Sequence, residues 1–161
     1  MNEENVNNMP LLDEIKTQVK VILPILKVLR DEFGDDKAGK ILKKALCPYI
    51  RDVYLEIGER KTGTPFEKWN KTWDEIRPRI GENVEREFIV NDNKKKEYNV
   101  KKCKFAEYFR EINEPELGNI LMCDFDYYVA EIGKPAVELT RTKTLMDGGD
   151  CCDFRYSFNA N

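Results

Sequence analysis

The sequence predicts an α+β fold, with N-terminal helices packed on an antiparallel sheet of about four strands and short helices inserted before a C-terminal hairpin. Two observations support this class. Apolar residues recur with helical spacing through the first half of the chain, whereas short alternating runs separated by polar turns follow residue 83. With 161 residues, the chain is long enough for one domain with a real core, and we expect residues 1–161 to form it.

The first two helices are predicted from their apolar stripes. One runs from Leu11 to Phe33, and the next starts at Asp35 or at the aspartate after it. Each contains a proline, Pro24 in the first and Pro48 in the second, at which we expect a kink. The first nine residues are polar and acidic, and we expect them to be a disordered tail.

A third helix is predicted from a capping box. Thr64 is the cap, a proline takes the first helical position, and Glu67 follows three residues after the cap. Trp69 and Trp73 belong to an aromatic stripe that we interpret as core, and Gly81 ends the helix.

Beyond this helix the pattern changes to strands. Val84–Val90 and Glu97–Lys101 alternate in character around the polar turn Asn91–Lys96. The lysines of this turn are interpreted as solvated, because three charges could neutralise only a few phosphates in an acidic chain.

Two short helices and a less regular segment follow. Phe105 to Ile112 has helical spacing, and Pro115 opens another helix. We expect Asp124–Gly133 to be a loop or a broken helix that leads into the final hairpin.

The final hairpin is predicted from two alternating runs that flank the glycine turn Asp147–Asp150. Val137 and Leu139 indicate the buried face of the first run, and Arg141 shares that face. Cys152 occupies the corresponding face of the second run. Because a guanidinium is rarely buried unpaired, Arg141 and the thiol are either a satisfied structural group or the floor of a pocket.

The composition excludes several function classes. A net charge of −3 and a pI near 5.3 argue against a general nucleic-acid surface, and no apolar run approaches the length of a membrane span. The five cysteines, without a secretory signal, indicate free thiols in the cytoplasm. The sequence leaves a homo-oligomer open and gives no indication of a cofactor.

The chain contains no histidine, and Ser157 is its one serine. This composition excludes every Ser–His and Cys–His mechanism and every histidine metal site. Catalysis would therefore depend on cysteine, on carboxylates, or on Lys, Tyr or Thr.

Cys152 is the first candidate nucleophile, since nearby arginines would lower its pKa; alternatively it is a small buried hydrophobic residue. Cys123 is a second candidate thiol, with Asp126 as general acid or base; alternatively the two belong to a capped helix end. Arg141 could hold a substrate carboxylate or pair with Asp126. Arg155 could be only a surface cross-strand partner of Glu138 or of a threonine.

A zinc site is not favoured by the cysteine spacing. Cys103, Cys123, Cys151 and Cys152 lack the paired C-x-x-C arrangement of structural zinc sites, and neighbouring cysteines ligate one ion awkwardly. We therefore assign no metal ligands, although the extra thiol of Cys151 leaves redox or metal chemistry open.

The C-terminal third carries two blocks that resemble a known family. They are Glu114-Pro115-Glu116-Leu117-Gly118 with Cys123, Asp124 and Asp126, and Arg141-Thr142-Lys143-Thr144-Leu145-Met146 with Gly149-Asp150 and Cys152-Asp153-Phe154-Arg155-Tyr156. From about Cys103 to Tyr156 the chain resembles L-2-amino-thiazoline-4-carboxylic acid hydrolase-like proteins. The pattern Gly-x-x-Cys-x-Phe is also similar to ligand-binding domains of the 4-vinyl reductase type.

The resemblance implies a hydrolase that acts on the carbon–nitrogen bonds of a small cyclic amidine bearing a carboxylate, and that gives an N-carbamoyl amino acid. It implies catalysis by a cysteine thiolate or by aspartate-activated water. The residues that match are Cys152, Cys123 and Asp126 for catalysis, and Arg141, Thr142, Asp153 and Arg155 for substrate binding. The alternatives are a non-catalytic, sensor-type module for a small ligand, or a metal-binding protein that uses the cysteines.

Overall fold

A computed structural model describes residues 9–159. Its N-terminal half consists of three helices, α1 (Leu11–Phe33), α2 (Asp35–Glu59) and α3 (Pro65–Ile80). Their starts agree with the prediction, and both hydrogen bonds of the capping box at Thr64 are present. The expected disordered tail lies, for residues 1–8, outside the described residues.

The sheet has four antiparallel strands in the order β1-β2-β4-β3. They are β1 (Val84–Asn91), β2 (Lys95–Cys103), β3 (Val137–Thr140) and β4 (Cys152–Phe158). The predicted α+β class, with helices first and then an antiparallel sheet of four strands, is confirmed.

Short helices connect β2 to β3. They are α4 (Lys104–Glu111), α5 (Pro115–Gly118), a π-helical turn (Asn119–Cys123) and α6 (Phe125–Ile132). The expectation of a loop or broken helix over Asp124–Gly133 is wrong for most of that segment, which forms α6. The reason is an apolar face that the sequence pattern did not reveal: Phe125 and Val129 are buried, and Phe125 stacks on Tyr54 of α2.

The final hairpin is shorter than predicted, because β3 ends at Thr140 and residues 141–151 form a loop. Side chains of β4 bind the amides that would continue the strand pairing. The Asp153 carboxylate accepts hydrogen bonds from the amides of Thr142 (2.9 Å) and Lys143 (2.8 Å). The Cys152 sulfur accepts one from the amide of Leu145 (3.2 Å).

The core lies between the helices and one face of the sheet. The ring of Trp69 in α3 is 5.2 Å from that of Tyr156 in β4, and Phe154 stacks on Tyr98 of β2 at 4.9 Å. The buried face of β4 therefore contains Cys152, Phe154 and Tyr156, as the alternation predicted. Among residues 9–159, none of the helices combines the length and apolar character that crossing a membrane requires.

Candidate active site

A cavity of about 70 Å³ lies between the buried face of the sheet, α3 and the start of α6. Most of its wall is apolar, and it also contains one carboxylate, two guanidinium groups and three thiols. These chemically active residues are Asp126, Arg86, Arg141, Cys103, Cys123 and Cys152. One water molecule needs a cavity volume of about 10–15 Å³, so a cavity of about 70 Å³ has room for a small molecule. We call it the inner cavity.

Arg141 and Asp126 form a buried ion pair in the wall of the inner cavity. The Arg141 Nη1 donates to Asp126 Oδ2 at 2.7 Å, and its Nη2 donates to the carbonyl of Cys123 at 2.9 Å. The two side chains are only 5% and 9% exposed. The guanidinium also lies between the rings of Tyr127 and Phe154, 5.2 and 5.1 Å from their centroids. The predicted pairing of Arg141 with a carboxylate is thus present, and the partner is Asp126.

The environment of Asp126 makes it a base suited to neutral pH. Burial raises the pKa of its carboxyl to about 6, although the charge and hydrogen bond of Arg141 act in the opposite direction. Burial is the largest single effect on Arg141 and lowers its pKa, but the charge of Asp126 and the effects of Cys123, Tyr127 and Cys152 together raise that pKa above its ordinary value. The guanidinium therefore stays charged, while the carboxyl can exchange a proton in the working range of most enzymes.

The cysteines of the inner cavity do not have the reactivity that the sequence suggested. Burial raises the pKa of Cys152 to about 11 and raises the pKa values of Cys123 and Cys103 as well. Arg141 acts in the opposite direction on Cys152 and Cys123, but it does not compensate for the loss of water. The expected net lowering of the thiol pKa is therefore wrong, because burial outweighs the effect of Arg141, and the raised pKa values favour protonated thiols at neutral pH.

All five cysteines are free thiols, which agrees with the prediction. Cys103, Cys123 and Cys152 line the same cavity, whereas Cys47 lies beside Asp124 with a sulfur–oxygen distance of 3.9 Å. Within residues 9–159, no three Cys, Asp or Glu side chains are grouped so that they could hold a metal ion.

Three predicted substrate-binding residues lie outside the inner cavity. The Thr142 hydroxyl donates to the Asp153 carboxylate at 2.6 Å, so these two residues bind each other and fix the loop before β4. Arg155 lies on the opposite face of β4, where it donates to the carbonyl of Tyr98 and to the side chain of Asn99. Arg155 is therefore a cross-strand partner, but its cross-strand hydrogen bonds are to β2 and not to the expected Glu138 or a threonine.

Arg86, which lines the inner cavity from β1, is not among the residues predicted above. Val84 and Arg86 have the same relation as Leu139 and Arg141, an apolar residue followed two positions later by an arginine on the same strand face. The pattern that indicates Arg141 therefore indicates Arg86 too. The contribution of Tyr98 and Trp73 to the wall had no comparable signal, because both are typical core residues.

Comparison with known proteins extends the likeness beyond the C-terminal third. The family model for L-2-amino-thiazoline-4-carboxylic acid hydrolase matches residues 14–156, from α1 to β4. No curated protein matches the chain. Because the match covers nearly the whole sequence, the chain belongs to the L-2-amino-thiazoline-4-carboxylic acid hydrolase family.

Proposed function

We propose that the protein is a hydrolase that opens a small cyclic amidine in the inner cavity, with 2-amino-thiazoline-4-carboxylate as the candidate substrate. The family name supports a hydrolase of this kind. The observation that carries the proposal is Asp126, a buried carboxyl with a pKa of about 6 that is held at 2.7 Å by Arg141. A binding module for an apolar ligand would have no need for such a polarised pair in its pocket.

In the proposed reaction, Asp126 takes a proton from a water molecule, and the water oxygen adds to the amidine carbon between nitrogen and sulfur. The ring carbon–sulfur bond then breaks, its electron pair goes to sulfur, and the added oxygen becomes a urea carbonyl. One proton of the water ends on the ring nitrogen and the other on sulfur. The resemblance implies hydrolysis of a carbon–nitrogen bond. An N-carbamoyl product, however, keeps both carbon–nitrogen bonds of the amidine, so the proposed ring opening breaks a carbon–sulfur bond instead.

The acidities of the cavity groups favour water over a cysteine as the nucleophile. A thiol with a pKa near 11 is almost fully protonated at pH 7, whereas a carboxyl with a pKa near 6 is mostly ionised. We therefore assign Asp126 as general base and acid, and Arg141 as the residue that orients it. Cys152 and Cys123 then shape the cavity without forming a covalent bond.

The test is incubation of the purified protein with 2-amino-thiazoline-4-carboxylate, with mass spectrometry to detect addition of one water. We expect turnover in the wild type and a loss of about 10²–10⁴-fold in Asp126→Asn, the usual contribution of a general base. Asp36→Asn is the control, because that carboxylate is exposed, pairs with Lys40 on the surface of α2 and does not line the cavity. Full turnover in Asp126→Asn, or none in the wild type, would refute the proposal.

A further inference from the structure

A second cavity, of about 40 Å³, adjoins the inner one. The two share three wall residues, Trp73, Arg86 and Tyr98. The rest of the second wall comes from α3, β1, β2 and β4, namely Trp69, Arg77, Phe88, Lys96 and Tyr156. We call it the cationic cavity, because three cations and, among residues 9–159, no carboxylate line it.

The positive charge of this cavity is only partly compensated. Arg77 pairs with Asp74 on the surface of α3 at 3.2 Å. Within the part of the chain that the structure describes, neither Arg86 nor Lys96 pairs with a carboxylate. The pKa of Lys96 is lowered, first by burial and then by the charges of Arg77 and Arg86. Lys96 is thus half-buried in a cavity wall, and the expectation that all three lysines of this turn are solvated is wrong for it.

The same wall contains buried hydrogen-bond donors without partners. Among residues 9–159, the indole nitrogens of Trp69 and Trp73 have no hydrogen-bond partner. The two side chains are 2% and 7% exposed. Buried donors almost always have a partner, so two on one wall indicate that an acceptor binds there.

We propose, on the basis of the function proposed above, that the cationic cavity binds the substrate carboxylate and that Arg86 is its anchor. Arg141 is less suited to this purpose, because its charge is already paired with Asp126 at 2.7 Å and its side chain is only 5% exposed. Arg86 has the planar fork that binds two carboxylate oxygens, and it borders both cavities. A ring held by its carboxylate on Arg86 extends into the inner cavity, where Asp126 lies.

Tryptophan fluorescence reports directly on this cavity, since Trp69 and Trp73 are the only two tryptophans of the chain. The probe is 2-oxothiazolidine-4-carboxylate, which has the ring and the carboxylate but no amidine. The control ligand is 2-oxothiazolidine, which lacks the carboxylate. Titrations use the wild type, Arg86→Gln and Arg86→Lys, with Arg60→Gln as a control arginine that is exposed and does not line either cavity.

We expect the carboxylate to bind Arg86→Gln about 10–100-fold more weakly than the wild type, the usual loss for a charged hydrogen bond. Arg86→Lys should bind the carboxylate with intermediate affinity, because lysine keeps the positive charge but lacks the planar guanidinium that binds two oxygens. The ligand without the carboxylate should bind all the variants with the same affinity. Thermal unfolding of each variant shows that it is folded under the conditions of the titration.

The outcomes separate this inference from the proposed function. Binding of the carboxylate through Arg86 without hydrolysis of the amino-thiazoline would refute the proposed substrate and leave the anion site standing. Equal binding to the wild type and Arg86→Gln, or an equal loss for both ligands, would overturn the inference and leave catalysis by Asp126 standing. Stronger binding of inorganic phosphate than of the carboxylate would also overturn the assignment to a substrate carboxylate.

Discussion

Arg141 and Arg86 line the same inner cavity, but their surroundings differ in every respect that matters for function. Arg141 is 5% exposed, ion-paired and enclosed by two aromatic rings. Arg86 is half-buried, and no carboxylate pairs with it in residues 9–159. A buried charge that is fully paired positions its partner, whereas a charge without a partner at a cavity wall is available to a ligand. The comparison therefore supports the proposal that Arg141 positions Asp126 and that Arg86 binds the substrate.

Removal of the two guanidinium groups should give the largest contrast. Arg141→Met leaves the Asp126 carboxylate buried without its partner, and the usual cost of breaking such a pair is about 3–5 kcal/mol of unfolding free energy. Arg86→Met should cost less than about 1 kcal/mol of unfolding free energy, because within residues 9–159 no carboxylate pairs with this arginine. Urea unfolding of both variants at pH 8 measures the difference. Equal losses would contradict the assignment of separate roles.

The pH dependence of stability tests the environment of Asp126. Its pKa is about 6 in the folded protein, against an ordinary value of 3.8. Between these values the folded protein keeps a proton that the unfolded chain has released. Asp126 therefore contributes stability that is present below pH 4 and is lost as the pH rises through about 6. The expected loss is on the order of 3 kcal/mol.

Other acids oppose this loss of stability with rising pH. The measurement is therefore the difference in unfolding free energy between the wild type and Asp126→Asn as a function of pH. Hydrogen bonds lower the pKa of Asp153 despite its partial burial, and this effect adds stability with rising pH in both proteins. Relative to the variant, the wild type should lose unfolding free energy between pH 4 and 7. A difference that is constant over this range would contradict the raised pKa of Asp126.

The two arginines are also linked through Asp126. The charge of Arg86 lowers the pKa of that carboxyl, although less than Arg141 does. The acidic limb of the kcat/KM profile should therefore rise near pH 6 in the wild type and move to higher pH in Arg86→Gln. Arg60→Gln, which changes an exposed arginine outside both cavities, should leave the limb in place. A limb that does not move in Arg86→Gln would show that the two cavities are electrostatically independent.

The sequence predicted the elements better than it predicted the site. Helical spacing and the cap at Thr64 are local signals, and they gave the starts of α1, α2 and α3 correctly. The end of β3 at Thr140 depends on the Asp153 carboxylate, which binds the amides of residues 142 and 143 from ten or eleven positions further along the chain, and alternation within one strand does not reveal that contact. Patterns within single elements therefore predicted the fold class, while contacts between elements decided where the strands stop.

The candidate site was predicted in part for the same reason. The pairing of Arg141 with Asp126 followed from the rule that a buried guanidinium needs a carboxylate, and the structure contains it. The acidity of Cys152 could not be predicted, because a pKa depends on the balance between burial and charge in three dimensions. The reason for a glycine at position 118 could not be predicted from sequence either. A Cβ there would lie 2.5 Å from the sulfur of Met146, a contact between distant parts of the chain. This close approach joins the two family blocks, and neither block reveals it alone.

The smallest expected effects concern the thiols. Cys152→Ser and Cys123→Ser should each keep turnover within about tenfold of the wild type, because general-base catalysis by Asp126 needs no thiolate. A serine hydroxyl at position 152 can still accept the hydrogen bond from the Leu145 amide, which in the wild type is 3.2 Å from the sulfur. The measurement is kcat for 2-amino-thiazoline-4-carboxylate, with thermal unfolding to confirm that both variants are folded.

A loss of 10³-fold or more in Cys152→Ser, with stability unchanged, would instead identify that thiol as the nucleophile. The same loss confined to Cys123→Ser would assign that role to Cys123, and Asp126 would then transfer protons to and from a covalent intermediate.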